Sequence, residues 1–477
     1  MYAVTTSVAL VGGDVRPVEV QVHVGRQQDT FKLSGLPDTA VREAKDRVRA
    51  AVASSGMRFP NRTVTVNLAP ADLPKGGTDY DLAIALGVLA ASGEIPKPNG
   101  VVVVGELALD GTVRSGSSTL GAGVLSARTK RPCLVATDAA ADTAAVPGSI
   151  VHGVGSLAEA VELLRLDLGQ HQAVRPRPTP QVQDGADLSD IKGQALPRRA
   201  IEIAAAGGHH LLLHGPPGGG KTMLARRLPG ILPRLSDHEA VEVALIYAAA
   251  GLRRGLDFSR PFRSPHHTAS RAALVGGGSG VLVPGEASLA HRGVLFLDEL
   301  AEFPRGNLDT LRQPMEDGFV TVARRGNTAQ FPSSFHLVGA SNPCPCGFYG
   351  DRRKPCECRP AVLGRYRQRV SGPLLDRIDL VVRVGRVEAS EAAAPGGESS
   401  SVIRRRVEQA AEFRRDRPAE THPRARQMIL DALDSAVVTA RGADRVTSVA
   451  RTIADLALKT RVEEEHVAEA MALRGEW

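Results

Sequence analysis

Residues 211–222 read Leu211-Leu-Leu-His-Gly-Pro-Pro-Gly-Gly-Gly-Lys-Thr222, and this stretch decides the fold around it. An apolar run leads into a glycine-rich turn that matches G-x-x-x-x-G-K-[ST], and a helical segment follows. The glycines let successive backbone N–H groups face a polyphosphate at a helix N-terminus, which already favours anions. Lys221 would place a positive charge on the β- and γ-phosphates, and the Thr222 hydroxyl would ligate Mg²⁺. The residues predicted to bind phosphate are Gly215, Pro216, Pro217, Gly218, Gly219, Gly220, Lys221 and Thr222.

Composition sets the broad class of protein. A length of 477 residues suggests about three domains, and a hydrophobic content of 43% is enough for packed cores. The sequence has no run of 18 apolar residues, and its start lacks the charges of a signal peptide, so we expect a soluble, cytoplasmic protein without a membrane segment. Five cysteines, four of them within fifteen residues, fit reduced thiols better than a disulfide framework. The net charge of +7 is compatible with a polyanionic partner and equally with an ordinary solvated surface.

The chain divides into regions of different composition. Residues 1–168 alternate short apolar runs with helical stretches, which predicts an α+β or α/β domain. Its clearest strand-like segments are 18–24, 63–67 and 101–104, and its clearest helical pattern is 41–52. Residues 169–188 are polar and rich in proline, so they are predicted to be a linker. Residues 387–400 form a second, low-complexity connector, and a helical region follows over 401–477.

A second apolar run, over 293–300, ends in two acids, Asp298 and Glu299. A central parallel strand would deliver both carboxylates to the sheet edge that carries the phosphate loop. Asp298 would hold Mg²⁺, and Glu299 would polarise the attacking water. An acid pair after a strand is weak evidence by itself. About 80 residues after a phosphate loop it indicates phosphoryl transfer, which needs both parts.

Two further polar residues stand in places typical of AAA+ ATPases. Asn342 follows the strand-like run 335–341 and is placed like the first sensor of that class. The simpler alternative is an asparagine that ends a strand in the turn before Pro343. Arg377 is placed like an arginine finger, which supplies positive charge to the γ-phosphate held by a neighbouring subunit.

A helical pattern over 439–456 supplies the candidates for a second sensor. Its apolar face is formed by Val446, Val449, Ile453 and Leu456. Arg441 is the predicted sensor, and Arg445 and Arg451 are alternatives. A single arginine on a basic helix is usually only a solvated charge.

Longer motifs resemble the ComM/YifB family of magnesium-chelatase-like AAA+ ATPases. They include Pro-Phe-Arg-Ser-Pro-His-His-Thr at 261–268, Leu-Arg-Gln-Pro-Met-Glu at 311–316 and Ser-Gly-Pro-Leu-Leu-Asp-Arg-Ile-Asp-Leu at 371–380. The resemblance extends over nearly the whole chain. It implies an α/β fold with an AAA+ P-loop parallel-sheet core over 189–386 and a C-terminal helical lid over 401–477. It also implies ATP and Mg²⁺ as cofactors and a homo-oligomer, by resemblance a hexamer.

The N-terminal region resembles the Lon-protease-like (S5-like) α+β domain that precedes the ATPase in this family. The resemblance rests on 67–83 and 105–111. This chain has Asp79 where a Lon peptidase places its nucleophilic serine, and no lysine follows Gly111 before Lys130. A carboxylate cannot perform the attack of a serine hydroxyl, and a serine–lysine dyad needs a desolvated amine nearby. We therefore expect this domain to be catalytically inactive.

Two clusters raise the question of a second metal. The cysteines form two C-x-C pairs, Cys344 with Cys346 and Cys356 with Cys358. Four thiolates suit tetrahedral Zn²⁺, although the spacing within each pair is tighter than usual, so the alternative is a set of reduced thiols in a turn-rich loop. A metal could also bind His266 and His267. The preceding Pro265 instead favours a structured hairpin loop beside the pore of the implied ring.

Residues 318–332 alternate apolar and polar side chains on either side of Arg-Arg-Gly-Asn, which predicts a β-hairpin with a turn near Gly326. In related ring ATPases a hairpin inserted before the first sensor points into the central pore. The resemblance therefore implies that Arg324 and Arg325 bind DNA phosphates without reading bases. The alternatives are a pair of solvated turn charges at these positions and a DNA contact on the arginine-rich helix at 404–406.

The resemblance implies an ATP-driven ring motor on single-stranded or branched DNA, acting as a helicase or in branch migration during homologous recombination or DNA uptake. One rival is a metal-insertion motor like the magnesium chelatase ATPase subunit, and another is a non-enzymatic ATP-gated scaffold. A Lon-like N-terminal domain, which we expect chelatase ATPase subunits to lack, counts against the first rival. The intact Lys221, Asp298, Glu299 and Arg377 count against the second.

Overall fold

Two β-sheets with packed helices organise the chain in a computed structural model. The residues that the structure describes are 1–26, 30–73, 75–166, 168, 171–176, 186–252, 254–278, 282–324, 327–351, 353–393, 395–415 and 420–475. No helix within these ranges combines the length and the apolar character that crossing a bilayer requires.

The N-terminal region folds as a mixed sheet with helices. Its strands are β1 (Tyr2–Val11), β2 (Asp14–Val24), β3 (Phe31–Ser34), β4 (Val64–Ala69), β5 (Val102–Val103), β6 (Glu106–Leu107), β7 (Val113–Arg114), β8 (Pro132–Ala136) and β9 (Ile150–Val154). Its helices are α1 (Thr39–Arg42), α2 (Ala44–Ser54), α3 (Asp81–Ser92), α4 (Thr119–Thr129), α5 (Thr137–Ala144) and α6 (Leu157–Arg165). Seven strands pair in the order β3-β4-β2-β1-β5-β8-β9, and β6 pairs with β7 separately. Helix α3 packs on β1 and β2 and is buried along its length, because its side chains are apolar on nearly every face.

Two N-terminal elements differ most from their predicted bounds. Strand β2 begins four residues earlier than predicted, because it continues the antiparallel ladder with β1, in which Pro17 pairs with Val8. The helical pattern over 41–52 is in fact two helices that meet at Glu43. The first of them starts early because the Asp38 carboxylate caps it by accepting a backbone N–H.

The second region is built on a parallel sheet. Its strands are β10 (Leu211–His214), β11 (Phe262–Arg263), β12 (Val294–Leu297), β13 (Phe319–Arg324), β14 (Asn327–Pro332), β15 (His336–Ser341) and β16 (Leu380–Arg383). Its helices are α7 (Ala195–Gly207), α8 (Lys221–Ile231), α9 (Asp237–Ala249), α10 (Arg271–Val275), α11 (Glu286–Leu289), α12 (Arg305–Asp309), α13 (Arg312–Asp317), α14 (Pro360–Arg367) and α15 (Gly372–Leu375), with 3-10 turns at Leu188–Asp190 and Leu300–Glu302. The sheet order is β11-β12-β15-β10-β16, and every neighbouring pair is parallel. The predicted α/β fold with a parallel sheet is therefore confirmed.

The predicted hairpin over 318–332 is also confirmed. Strands β13 and β14 pair antiparallel from Phe319 opposite Pro332 to Arg324 opposite Asn327. This register leaves a two-residue connection at 325–326, which lies outside the described residues.

Helices dominate the C-terminal region. They are α16 (Ala389–Ala393), α17 (Ser400–Arg415), α18 (Pro423–Asp434), α19 (Ala440–Leu456) and α20 (Glu464–Ala472), with a short pair β17 (Glu420–Thr421) and β18 (Arg461–Val462). Helices α17 and α19 pack on α7, and α17 also packs on α8. Three apolar residues of the predicted α19 face, Val446, Val449 and Ile453, are buried against this core.

An apolar cluster, here called the shared cluster, joins the two sheet-containing regions. Its members include Val8, Leu125, Val146, Leu235, Val243, Ile246 and Leu289. Close by, the backbone N–H of Gly13 donates to the carbonyl oxygen of Gln330 at 3.2 Å, so the turn between β1 and β2 rests on β14. An ideal Cβ at Gly12 would lie 2.1 Å from the same oxygen, which leaves no room for a side chain. The predicted linker therefore does not separate two independent cores.

Candidate functional site

The glycine-rich turn lies between β10 and α8, as its motif predicts. Gly218 and Gly220 have φ angles of +77° and +88°, a region that residues with a side chain rarely adopt. Gly215 is needed for a different reason, since an ideal Cβ there would lie 2.0 Å from the carbonyl oxygen of Val384. The turn thus presents its backbone at the N-terminus of α8, where a polyphosphate would find N–H donors.

Lys221 is the most connected side chain of this turn. Its Nζ donates to the carbonyl oxygens of Gly215 at 2.7 Å and Pro216 at 3.0 Å, and to Oδ1 of Asn342 at 3.2 Å. Burial lowers the pKa of Lys221, and the Asp298 carboxylate partly opposes that shift. Two residues predicted from separate motifs, Lys221 and Asn342, therefore meet in one hydrogen-bonded group.

Thr222 and Asp298 also meet, since Oγ1 of Thr222 donates to Oδ2 of Asp298 at 2.9 Å. A hydroxyl and a carboxylate are oxygen donors, which Mg²⁺ prefers. They stand beside the phosphate loop because β10 and β12 both flank β15 in the parallel sheet. The residues present therefore fit a Mg²⁺ ion with a nucleotide polyphosphate.

Glu299 lies next to this group and has a partner that the sequence did not suggest. Its backbone φ is +52°, and its side chain is 55% exposed. Nδ1 of His267 lies 3.4 Å from Oε2 of Glu299, and the His267 ring contacts those of His266 and Phe303. Strand β11 pairs in parallel with β12, so the residues after each strand share a sheet edge. A prediction that β11 and β12 pair in parallel would have placed His267 near Glu299.

Arg377 lies at the opposite edge of the sheet. It precedes β16, and Asp379 beside it donates its backbone N–H to the carbonyl oxygen of His210, just before β10. Lys221 follows the other end of β10, and a four-residue strand spans about 13 Å. Nη2 of Arg377 lies 2.6 Å from Oε1 of Glu316, and Nη1 donates to a backbone oxygen in the same turn. The structure therefore does not bring Arg377 to the phosphate loop of its own chain.

The three second-sensor candidates have different surroundings. Arg441 is exposed, whereas Nη1 of Arg445 lies 3.2 Å from Oδ1 of Asp379 and Nε of Arg451 lies 2.9 Å from Oδ1 of Asp455. Hydrogen bonding to Arg377 lowers the pKa of Glu316, and the charges of Arg441 and Arg445 lower it further. Arg441 and Arg445 thus lie near the ion pair of Arg377 with Glu316.

The four cysteines converge in the loop after Asn342. Their sulfur atoms all lie within 4.8 Å of one another. The Sγ of Cys344 is 3.2 Å from that of Cys346 and 3.7 Å from that of Cys356, and the last two are 3.6 Å apart. Tetrahedral zinc with Zn–S bonds of about 2.3 Å places its sulfurs about 3.8 Å apart. All four cysteines are free of disulfide bonds, so their sulfur atoms are available as ligands. Because the distances between them approach the tetrahedral value, their positions fit a zinc site.

Asp79 is buried within the N-terminal region. Its Oδ2 accepts hydrogen bonds from the backbone N–H of Ser118 at 2.8 Å and the Ser117 hydroxyl at 3.2 Å. Burial raises the pKa of Asp79 against the effect of these bonds. An ideal Cβ at Gly116 would overlap the carboxylate, so no side chain fits at that position. The expectation that this domain is catalytically inactive stays a prediction.

The predicted DNA contacts are only partly described. Arg324 ends β13 but its side chain is outside the described part of the structure, as is the whole of Arg325. On the alternative helix, Arg404 donates to the carbonyl oxygen of Gly230, and Arg406 pairs with Glu202 and Glu398. Two of the three alternative arginines are therefore engaged within the chain.

Comparison with known protein families covers almost the entire chain. Residues 187–392 match the family described as "Magnesium chelatase, subunit ChlI", and residues 397–474 match "Magnesium chelatase, subunit ChlI C-terminal". Residues 18–138 match "Subunit ChlI of Mg-chelatase". Because this last description is that of a chelatase subunit, it does not support the expectation that the N-terminal region sets the chain apart from such subunits.

Individual relatives are similar from end to end. An uncharacterized protein of Mycobacterium tuberculosis is 42% identical, over 98% of this chain and 97% of its own length. The protein YifB of Escherichia coli is 40% identical over 98% of this chain and 96% of its own. The competence protein ComM of Haemophilus influenzae is 38% identical over 99% and 97%.

Proposed function

Because the chain belongs to the magnesium-chelatase-like AAA+ family that includes ComM and YifB, we propose that it is a ring motor that hydrolyses ATP to move along DNA. Membership implies an ATPase that uses ATP and Mg²⁺, and it suggests oligomerisation. More specifically, we propose that the chain forms a hexamer that acts as a helicase or in branch migration. This activity would serve homologous recombination or the DNA uptake that the word competence denotes. The observation that carries the ATPase part of the proposal is that two hydrogen-bonded pairs, Lys221 with Asn342 and Thr222 with Asp298, lie at one sheet edge. The DNA part rests on the similarity to ComM.

In this proposal each side chain of the group has one task. The backbone of the glycine-rich turn and Lys221 hold the phosphates, so Lys221 exchanges its present carbonyl partners for phosphate oxygens. Thr222 and Asp298 would hold Mg²⁺, which when bound neutralises charge on the phosphates. Glu299 takes a proton from the attacking water, and Asn342 orients that water. His267 holds Glu299 in place through the contact described above.

The position of Arg377 supports action between subunits. It lies across the sheet from its own phosphate loop, on the same side as Arg441 and Arg445. We propose that Arg377 is an arginine finger for a neighbour's nucleotide and that Arg441 is a second sensor. The C-terminal helices would form the lid, and the N-terminal region would be a catalytically inactive Lon-like domain.

DNA should stimulate ATP hydrolysis by the purified protein, because a motor couples turnover to its track. The measurement compares phosphate release without DNA and with duplex, single-stranded and four-way-junction DNA. A chelatase-type motor should not respond to any of the three, and a scaffold should bind ATP without hydrolysing it. Hydrolysis that is indifferent to all three DNAs would contradict the proposal.

We propose that the hairpin β13–β14 holds the DNA backbone through Arg324 and Arg325. Replacing both with alanine should weaken binding to all DNA sequences, flatten the dependence of log affinity on log salt, and leave DNA-independent hydrolysis nearly intact. Fluorescence anisotropy over a salt series measures both quantities. The matched control is the double change of the exposed Arg58 and Arg62 to alanine, which removes equal charge from the N-terminal region.

An unchanged affinity and salt slope in the Arg324/Arg325 variant would reject the hairpin as the DNA contact. Arg405, exposed on the arginine-rich helix, would then be the first residue to test.

We also propose that Cys344, Cys346, Cys356 and Cys358 bind a structural Zn²⁺ ion. The sulfur distances support it, because they approach those of a tetrahedral site. The alternative of four reduced thiols leaves them crowded without a shared ligand.

A further inference from the structure

The cysteine loop, residues 343–359, packs directly against the phosphate loop. Gly347, between the two C-x-C pairs, has a φ of +85°, and an ideal Cβ there would lie 2.7 Å from Cδ of Pro217. No side chain fits between the two loops at this point. The loop also starts immediately after Asn342, which accepts a hydrogen bond from Lys221. One direct contact and one chain connection thus join the cysteine loop to the proposed nucleotide site.

The segment after β16 backs the phosphate loop from another direction. The carbonyl oxygen of Val384 lies against Gly215, and an ideal Cβ at Gly219 would lie 3.1 Å from the carbonyl oxygen of Gly385. Nε2 of Gln194 donates to the carbonyl oxygens of both Gly385, at 2.7 Å, and Gly219, at 3.3 Å. The shape of the phosphate loop therefore depends on where residues 384–386 lie.

The cysteine loop is tied to that same segment. Nε of Arg386 lies 3.1 Å from Oδ2 of Asp351, and its guanidinium lies 5.5 Å from the ring centroid of Phe348. Arg383, at the end of β16, donates to the carbonyl oxygen of Gly350. The cysteine loop thus contacts the phosphate loop directly and also holds the strand end that backs it.

The cysteine loop has little else to define its shape. Its described residues form no helix or strand, and Cys346, Cys356 and Cys358 are only half-buried. Loops of this kind are ordered by metal binding when ligands converge, and the binding free energy becomes folding free energy. The four converging sulfurs are therefore the feature that can fix the loop.

We propose that zinc on the four cysteines fixes this loop as a clamp on the phosphate loop, and thereby sets the affinity of the nucleotide site. The inference rests on the nucleotide site of the proposed function. It gives the metal a task besides local stability, because loss of zinc would release Pro217 and residues 384–386 together. It also makes nucleotide affinity sensitive to thiol oxidation or chelation at a distance from the phosphates.

The first experiment measures zinc and nucleotide affinity on the full chain. Purified protein should contain about one zinc per chain by elemental analysis. Removing it with a chelator under reducing conditions should weaken binding of a fluorescent ADP analogue about tenfold, and added Zn²⁺ but not Mg²⁺ should restore it. Circular dichroism before and after removal shows whether the rest of the fold is retained.

A substitution tests the clamp without removing the metal. Arg386→Met keeps the length of the side chain but loses the ion pair with Asp351, so it should keep zinc and still weaken ADP-analogue binding about tenfold. The matched control is Lys354→Met. The Nζ of Lys354 also lies over the Phe348 ring, 4.3 Å from its centroid, but Lys354 belongs to the cysteine loop and does not join it to the segment after β16. The Lys354→Met variant should therefore bind the ADP analogue like the wild type.

The outcomes separate the clamp from the nucleotide site. Unchanged affinity in folded, zinc-free protein, unchanged affinity in Arg386→Met, or protein purified without zinc would each overturn the clamp alone. Failure of the zinc-loaded wild type to bind the analogue, or wild-type binding by Lys221→Ala, would overturn the nucleotide site and the clamp with it.

Discussion

ATP turnover should fall by roughly 10²- to 10⁴-fold when Glu299 is replaced by glutamine, while ATP still binds. The amide keeps the size of the side chain but does not take a proton from water. Lys221 and Thr222 are unchanged, so the phosphate cradle stays intact. The side chain is 55% exposed, and the change should leave the fold unaffected. Phosphate release measures turnover, and a fluorescent nucleotide measures binding on the same sample.

Glu302→Gln is the matched control for this change. Glu302 lies on the next turn, where its Oε2 is paired with Arg369, and it makes no described contact with Lys221, Thr222 or Asp298. It should retain normal turnover. Hydrolysis by Glu299→Gln at the wild-type rate would mean that another group activates the water.

Arg377→Ala should reduce turnover by roughly 10³- to 10⁵-fold, the range found for arginine fingers. Mixing this variant with inactive Lys221→Ala subunits should restore part of the activity, because some interfaces then combine an intact phosphate loop with an intact finger. The measurement is phosphate release across a series of mixing ratios. Glu316 is 47% exposed, so its carboxylate can be hydrated when Arg377 is removed.

Glu316→Gln controls for the loss of the ion pair, since it removes the charge of the partner and keeps the guanidinium. It should retain turnover if Arg377 acts on a nucleotide. Normal turnover by Arg377→Ala would reject the finger, and mixed rings without any recovered activity would count against action between subunits.

The parts of the site that follow parallel strands could be predicted from the sequence. The phosphate loop follows β10, Asp298 follows β12 and Asn342 follows β15, and each strand is a short apolar run bounded by polar or glycine residues. Parallel strands end at one sheet edge, so residues from distant motifs had to meet there. The hairpin β13–β14 was predictable for a similar reason, since alternation and turn residues are local signals.

Contacts between loops could not be predicted in this way. The contacts of Gln194 with Gly219 and of the cysteine loop with Pro217 depend on how separate turns pack, and no residue spacing encodes them. The start of β2 was missed because pairing with the preceding strand carries the ladder through Pro17, which lies outside the apolar alternation. The DNA contact at Arg324 and Arg325 and the predicted domain boundaries stay predictions.

The shared cluster couples the stability of the N-terminal sheet region to that of the α9 region. Apolar side chains from the N-terminal sheet region and from the α9 region, among them Val8 and Ile246, are buried together. Opening either region exposes the apolar surface of the other, so part of the free energy of unfolding belongs to both. Replacing the N-terminal region with a foreign domain should therefore be unfavourable. Such a replacement would expose Leu235, Val243 and Leu289 to water.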